Sequence, residues 1–375
     1  MQSRYLAQSE YNLVRIILGE RFASDDEKNN VYTRAAAYLE DWIQKGILAR
    51  DAEPAFYAYF QTFSLPGSSE QLVRKGFIGL GPVEDYSAGI VHRHEQTLSG
   101  PKKDRSELLN HTRAHFGQIF MLYPDSELTV DRILDQASQG EPLATVTDEY
   151  GTVHGVWQIA DAAAVAAIRQ AMENKKLLIA DGHHRYETAL AFRQANPQLK
   201  DAERVMMTFV NMHSPGLKIL ATHRIVNGLS DFHPDEFLSK APTRTLASLA
   251  ELERVFATPA PARIRIGIAF AGSPKIHLID RERRAGELDI RVLHEELLGK
   301  ILRINEEAVR DEKNIRYVRG LDAAIGAQAQ IAFLMEPTSI EQVADVAFGG
   351  GVMPQKSTDF YPKLLSGLTI YKLEE

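Results

Sequence analysis

Residues 177–190, LLIADGHHRYETAL, constrain the fold more than any other stretch. Leu177, Leu178, Ile179 and Ala180 make an apolar run with the length and bounding of a buried strand. Asp181-Gly182 then turns the chain, and Gly182 permits a backbone conformation, or a close approach, that a Cβ would hinder. From His184 onward, the return of Tyr186, Leu190 and Phe192 roughly once per turn predicts a helix. Strand, glycine turn and helix in this order aim free backbone N–H groups and a positive dipole end at an anion. The same turn holds Asp181, His183, His184 and Arg185, four ionisable groups in five residues, which is more than packing asks for. Arg185 can grip a phosphate or carboxylate with two parallel hydrogen bonds. The histidines can donate to the same anion or exchange a proton near neutral pH. The plainer alternative is a solvated helix start with Asp181 as N-cap.

A chain of 375 residues has room for two domains or one large one. A net charge of −7 disfavours non-specific nucleic-acid binding, although a local basic groove is compatible with it. The absence of cysteine excludes disulfides, thiolate zinc sites and cysteine nucleophiles, and fits a reducing, cytoplasmic location. No run approaches the ~20 apolar residues of a membrane span, and the N-terminus has no apolar core of a secretion signal. Walker, dinucleotide GxGxxG, HExxH and GxSxG signatures are missing, as are internal repeats.

Taken in order, 11–19 reads as a strand or apolar anchor, and Asn30 as the cap of a helix to Lys45, stopped by Gly46. Residues 53–63 and 73–80 read as a hairpin about Pro66-Gly67-Ser68, broken afterwards by Gly79, Gly81 and Pro82. Asp104 is expected to cap a helix presenting Leu108, Leu109, Thr112 and Phe116 on one face. Strands are expected at 119–123, 205–211, 264–270, 275–279, 314–318, 331–335 and 368–371, a hairpin at 142–159, and helices at 128–137, 161–174, 246–255 and 292–302. This pattern predicts a mixed α/β (α+β) protein of two lobes, 1–230 and 231–375, with the DGHHR strand-turn-helix at the cleft.

Three further segments carry chemistry. VHRHEQTLSGPKKDR, at 91–105, combines Glu95 with Lys102 and Arg105 around a Gly100-Pro101 turn. KILATHR ends in His223 and Arg224, a second His-Arg pair behind an apolar run. MPQKSTDFYPKL, at 353–364, sets Lys356 and Lys363 beside hydroxyls that can close over a phosphate. For each, a solvated loop or strand end is the plainer alternative.

ADGHHRYETAL, with HEQTLSGPKKDR before it and ATHRIV and MPQKSTDFYPKLLSGL after it, closely resembles the bacterial and archaeal domain-of-unknown-function family 1015. The resemblance spans nearly the whole chain. Members of that family carry a longer N-terminal segment with a proline-proline-tyrosine-aspartate motif. A longer native N-terminus is therefore expected, and any ligand contact made by that segment would be missing here. The Gly182–Arg185 core also resembles the phosphate-binding signature of the ParB and sulfiredoxin superfamily, which includes free-serine kinases. Sulfiredoxin chemistry needs a cysteine, and the acidic balance disfavours DNA partitioning.

The resemblances together imply a nucleotide-dependent phosphotransferase acting on a small hydroxylated metabolite, with free serine as favoured acceptor. Gly182, His183, His184 and Arg185 would hold nucleotide phosphates, and Lys102, Arg105, His223, Arg224 and Lys356 would add positive charge. Glu95, Asp181 or His184 would handle the proton, with magnesium accompanying ATP or ADP. A metal-dependent hydrolase using Asp181, His183, His184 and Glu187, and a non-catalytic nucleotide or metabolite sensor, are the competing readings. No structural metal is expected to be needed for folding.

Overall fold

The computed structural model describes residues 2–95 and 102–374, Lys102 by its backbone alone. The protein is mixed α/β. Its contacts fall into two compact units, residues 2–93, 102–217 and 362–374 in the first, and His94, Glu95 and 218–361 in the second. This grouping differs from a division at residue 230. The THR motif lies in the second unit because strand His223–Val226 is hydrogen-bonded between two strands there. Residues 362–374 count with the first because Leu364, Leu368 and Tyr371 pack on its sheet.

In the first unit the described strands are β1 (Phe56–Ser64), β2 (Gln71–Pro82), β3 (Val91–Arg93), β4 (Ala114–His115), β5 (Ile119–Tyr123), β6 (Ala144–Thr147), β7 (Val153–Ile159), β8 (Leu177–Asp181) and β9 (Arg204–Asn211). A further short strand of this unit, Tyr371–Lys372, lies at the end of the strand expected at 368–371 and pairs antiparallel with β4, and the other eight form one sheet in the order β3-β8-β5-β9-β2-β1-β7-β6. β8 lies between β3, which runs parallel to it, and β5, which runs antiparallel. A strand covered on both faces reads as a continuous apolar run, and Leu177 to Ala180 are all buried. One face packs Ile119, Met121, Ile179, Met207 and Phe209 against Val130, Leu134, Ile168, Tyr186 and Ala189. The other packs Tyr59, Ile78, Val156 and Met206 under the C-terminal segment. The 14-residue helix Val31–Gln44 begins at Asn30, whose side chain accepts from Tyr32 and Thr33 N–H in a capping box.

Three local expectations change. Residues 14–17 form a short helix, not a strand, because the Asn12 side chain accepts from Val14 N–H and starts the turn. Gly79 and Gly81 lie inside β2; a Cβ at Gly79 would meet the Phe56 ring and one at Gly81 would meet Met207, so they make room for neighbours. Asp104 sits within the first turn of helix Lys102–Thr112 and accepts from the Tyr32 hydroxyl at 2.8 Å, so it is no N-cap. The Gly100-Pro101 turn lies outside the described residues.

The described strands of the second unit are β10 (Lys218–Ile219), β11 (His223–Val226), β12 (Arg244–Leu246), β13 (Arg263–Phe270), β14 (Ile276–Glu282), β15 (Ile315–Val318), β16 (Ile331–Met335) and β17 (Phe360–Tyr361). Six make an antiparallel sheet in the order β12-β14-β13-β16-β11-β15. Ile225, Leu246, Leu252, Ala269, Leu278, Ala324 and Leu334 fill its core. Residues 289–292 begin a helix that widens into a π-helix over Leu293–Ile301.

His223 reports on this unit's stability. It is 2 % exposed, and its Nδ1 accepts from Met335 N–H at 3.1 Å. Burial, and then the Arg224 charge, push its pKa down to about 4. Above pH ~6.5 the ring is neutral folded or unfolded. As pH falls below that value the unfolded chain takes up a proton that the folded one refuses, so stability declines until about pH 4. The loss by pH 5 is about 2 kcal/mol. Urea titrations at pH 7 and pH 5 should show this decline, and His223→Gln, which keeps an acceptor for Met335 N–H, should flatten it.

Candidate functional site

The DGHHR turn follows from β8 and the helix His183–Ala195 that it feeds. The helix is anchored below the turn by buried Tyr186, Ala189 and Phe192. The Tyr186 hydroxyl donates to Glu84 C=O at 2.7 Å and accepts from Glu84 N–H at 2.8 Å. Gly182 is the N-cap, at φ +96°, and no side chain caps the helix. Asp181 is therefore not the cap. Its Oδ2 instead accepts from Arg185 Nη2 at 3.0 Å, and Lys363 Nζ lies 3.8 Å from its Oδ1. Burial alone would raise the Asp181 pKa, but Arg185, Lys363 and His183 outweigh it and hold the carboxyl below its ordinary value. The turn thus sets a fixed carboxylate flanked by cations at the start of the helix, where the dipole is positive.

More polar groups gather here. Arg105, on helix Lys102–Thr112, has an exposed side chain. Surrounding protein, and then repulsion from Arg185, nonetheless push its pKa down. Gly117 packs near Arg185, where a Cβ would stand 3.7 Å from Cδ. Arg185 Nε is shielded from solvent and has no hydrogen-bond partner among the described residues. Gln118, 2 % exposed, likewise has no partner there for either amide atom. His183 Nε2 and His184 Nδ1 are turned away from solvent. Arg74, on β2, is 1 % exposed, donates to Gln61 Oε1 and to Pro362 C=O, and stacks 4.6 Å over the Phe120 ring. Burial lowers its pKa to about 10, against the nearby Tyr59 and the Asp181 carboxylate. Sequence reasoning passed over Arg74 and Gln118. A lone charge inside QLVRKGFIGL was the available signal for Arg74.

The other expected residues assemble in the second unit. Glu95 pairs as an isolated bridge with Met353, and its Oε1 accepts from Lys356 N–H at 2.7 Å. Lys356 adopts a left-handed φ of +58° and gives its C=O to Arg224 Nη2 at 2.8 Å. His223 is engaged with Met335 and buried. The expected residues thus form two groups, Arg105 with 181–185 in the first unit and Glu95, His223, Arg224 and Lys356 in the second. The side chain of Lys102 lies outside the described residues. Among the described residues no three histidine or carboxylate side chains converge as a metal-binding group, so Asp181, His183, His184 and Glu187 are not assembled as one ligand set.

Gly182→Ala tests the turn. A Cβ there would stand 2.8 Å from Arg185 Nη2 on a backbone at φ +96°. The expected loss is about 1–3 kcal/mol, read from urea titration. Unchanged stability would mean that the turn relaxes without glycine.

No curated protein matches the sequence. Solved structures to which the chain shows similarity include a conserved hypothetical protein from Pyrococcus furiosus, 12 % identical, TM-score 0.39, covering 79 % of this chain and 95 % of that one. A free serine kinase mutant in complex with ADP is 12 % identical, TM-score 0.42, covering 79 % and 92 %. A free serine kinase in complex with AMP is 13 % identical, TM-score 0.41, covering 79 % and 91 %. The sequence profile described as "Protein of unknown function (DUF1015)" matches residues 1–322, and the chain belongs to that family.

Proposed function

We propose that this protein is a nucleotide-dependent phosphotransferase whose DGHHR turn holds the nucleotide phosphates. The observation that carries the reading is Arg185. Its guanidinium stands at the uncapped start of the helix, fixed by Asp181 through one arm, with Nε unpartnered among the described residues. Arg105 is close enough for the two guanidiniums to repel each other. An anion between such groups relieves that repulsion and takes the Arg185 Nε–H. Phosphoryl transfer asks for this arrangement, because its main demand is cations around the migrating group.

Asp181 stays ionised at neutral pH, so it can accept a proton from an attacking hydroxyl or contact a cation. Magnesium takes one or two carboxylates together with substrate phosphates and waters, and Asp181 fits that demand. When bound with ATP or ADP, magnesium would neutralise phosphate charge and align the transferred group. Free serine is the favoured acceptor, on the resemblance of the Gly182–Arg185 core to the superfamily that includes free-serine kinases.

Arg185→Lys separates this role from a structural one. Lysine keeps the charge and much of the apolar stem but loses the planar two-pronged grip. ADP or ATP affinity should fall by roughly 1.5–3 kcal/mol, about tenfold to hundredfold, with the thermal melt little changed. Calorimetric titration beside a melt of each protein reads both. Undiminished affinity in a well-folded variant would sink the phosphate-holding role, and a collapsed melt would make Arg185 structural.

A further inference from the structure

Residues 362–366 have no helix or strand of their own, yet the sheet of the first unit grips them by the main chain. Arg74, on β2, donates to Pro362 C=O at 2.6 Å. Gln61, on β1, donates from Nε2 to Lys363 C=O at 2.9 Å, and its Oε1 accepts from Arg74 Nε at 3.0 Å, so the two side chains act as one clamp. The Tyr59 hydroxyl accepts from Leu365 N–H at 3.2 Å and meets His154 Nδ1 at 2.7 Å. Just beyond, Gly367 N–H donates to Phe116 C=O at 3.2 Å. Gln61, Arg74, Tyr59 and His154 are all buried. Buried polar side chains need partners, and three of these four find them in the backbone of one short strap.

Lys363 sits at the centre of that strap. Its backbone is fixed on both sides, while half of its side chain is open to solvent. Its Nζ stands 3.8 Å from Asp181 Oδ1, and Arg185 Nη2 holds the other oxygen, Oδ2, at 3.0 Å. An ion pair between groups this exposed adds little to stability, and Arg185 already does more than Lys363 to keep the carboxyl ionised. At 3.8 Å the ammonium is beyond hydrogen-bond distance of Oδ1. It can therefore move onto a neighbouring anion without breaking a hydrogen bond to that oxygen.

We propose that Lys363 is a substrate-binding residue of the DGHHR site, delivered by the clamped strap to the terminal phosphate of the bound nucleotide. The proposal rests on the phosphotransferase reading and adds to it the residue that tells the phosphate to be transferred from those left behind. In that reaction the acceptor oxygen bonds to the terminal phosphorus. The phosphorus–oxygen bond to the rest of the nucleotide breaks, its electron pair leaves on the nucleotide, and the hydroxyl proton passes to Asp181. The phosphoryl group that moves therefore lies on the Asp181 side of the nucleotide, where Lys363 stands. Lys363 keeps its proton throughout and offsets phosphate charge as a compact point cation.

The test titrates AMP, ADP and ATP, with magnesium at fixed ionic strength, into the full chain, Lys363→Met and Lys363→Arg, by calorimetry beside a thermal melt. Methionine keeps an unbranched apolar stem and leaves the clamped backbone unchanged, so the melt should be retained. Lys363→Met should match the unmodified protein up to one number of phosphates and bind about three- to tenfold more weakly at the next. The position of that step identifies the donor nucleotide. Lys363→Arg, which keeps the charge, should recover most of the loss. An equal loss for all three nucleotides, or no loss for any, would overturn the role of Lys363 and leave the phosphotransferase reading standing. An unmodified protein that binds none of the three would overturn both.

Discussion

The candidate site depends on one backbone condition, the positive φ at Gly182. A strand buried on both faces must pass directly into a helix, and the single residue between them takes a left-handed conformation that only glycine adopts without strain. That turn brings Arg185 back over Asp181 four residues earlier, and it leaves the helix start without a side-chain cap. An ordinary Asn or Ser cap would satisfy the first N–H groups and close the anion site. The local instability of an uncapped helix is offset by Tyr186, Ala189 and Phe192, buried one turn further on. The chemistry at the surface is thus held in place by packing beneath it.

Each unit also buries an arginine at some cost. Arg74 is supported by an amide, a carbonyl and an aromatic face, contacts that a guanidinium uses better than an ammonium does. Arg224 is supported by three carbonyls and the Tyr317 ring. Burial lowers both pKa values to about 10, so both remain charged at neutral pH. They differ in what stands beside them, since Arg74 senses the Asp181 carboxylate, whereas Arg224 has unpartnered polar atoms of Tyr317 and His294 as neighbours.

Much of the fold was legible where one physical signal dominated. The runs at 119–123, 177–180 and 331–335 are apolar throughout because their strands are covered on both faces. Asn30 declared its helix because an amide side chain there satisfies two orphan N–H groups. Failures came where two signals compete. Gly79 and Gly81 read as breakers, yet they serve the Phe56 and Met207 side chains on neighbouring strands, which no local window contains. In the site, Asp181, Gly182 and Arg185 were readable because they lie within five residues. Lys363 meets Asp181 across 182 positions, and Tyr317 meets Arg224 only through strand register, so neither contact leaves a local trace.

The central claim is that the DGHHR turn positions a phosphoryl group for transfer. The most direct measurement is mass spectrometry of small hydroxylated metabolites, serine first, incubated with the protein, magnesium and ATP or ADP. The account predicts a phosphorylated metabolite that depends on both protein and nucleotide and that falls sharply with Arg185→Lys at sub-saturating nucleotide. Nucleotide hydrolysis to free phosphate with every acceptor left unmodified, or nucleotide binding with no turnover, would contradict it.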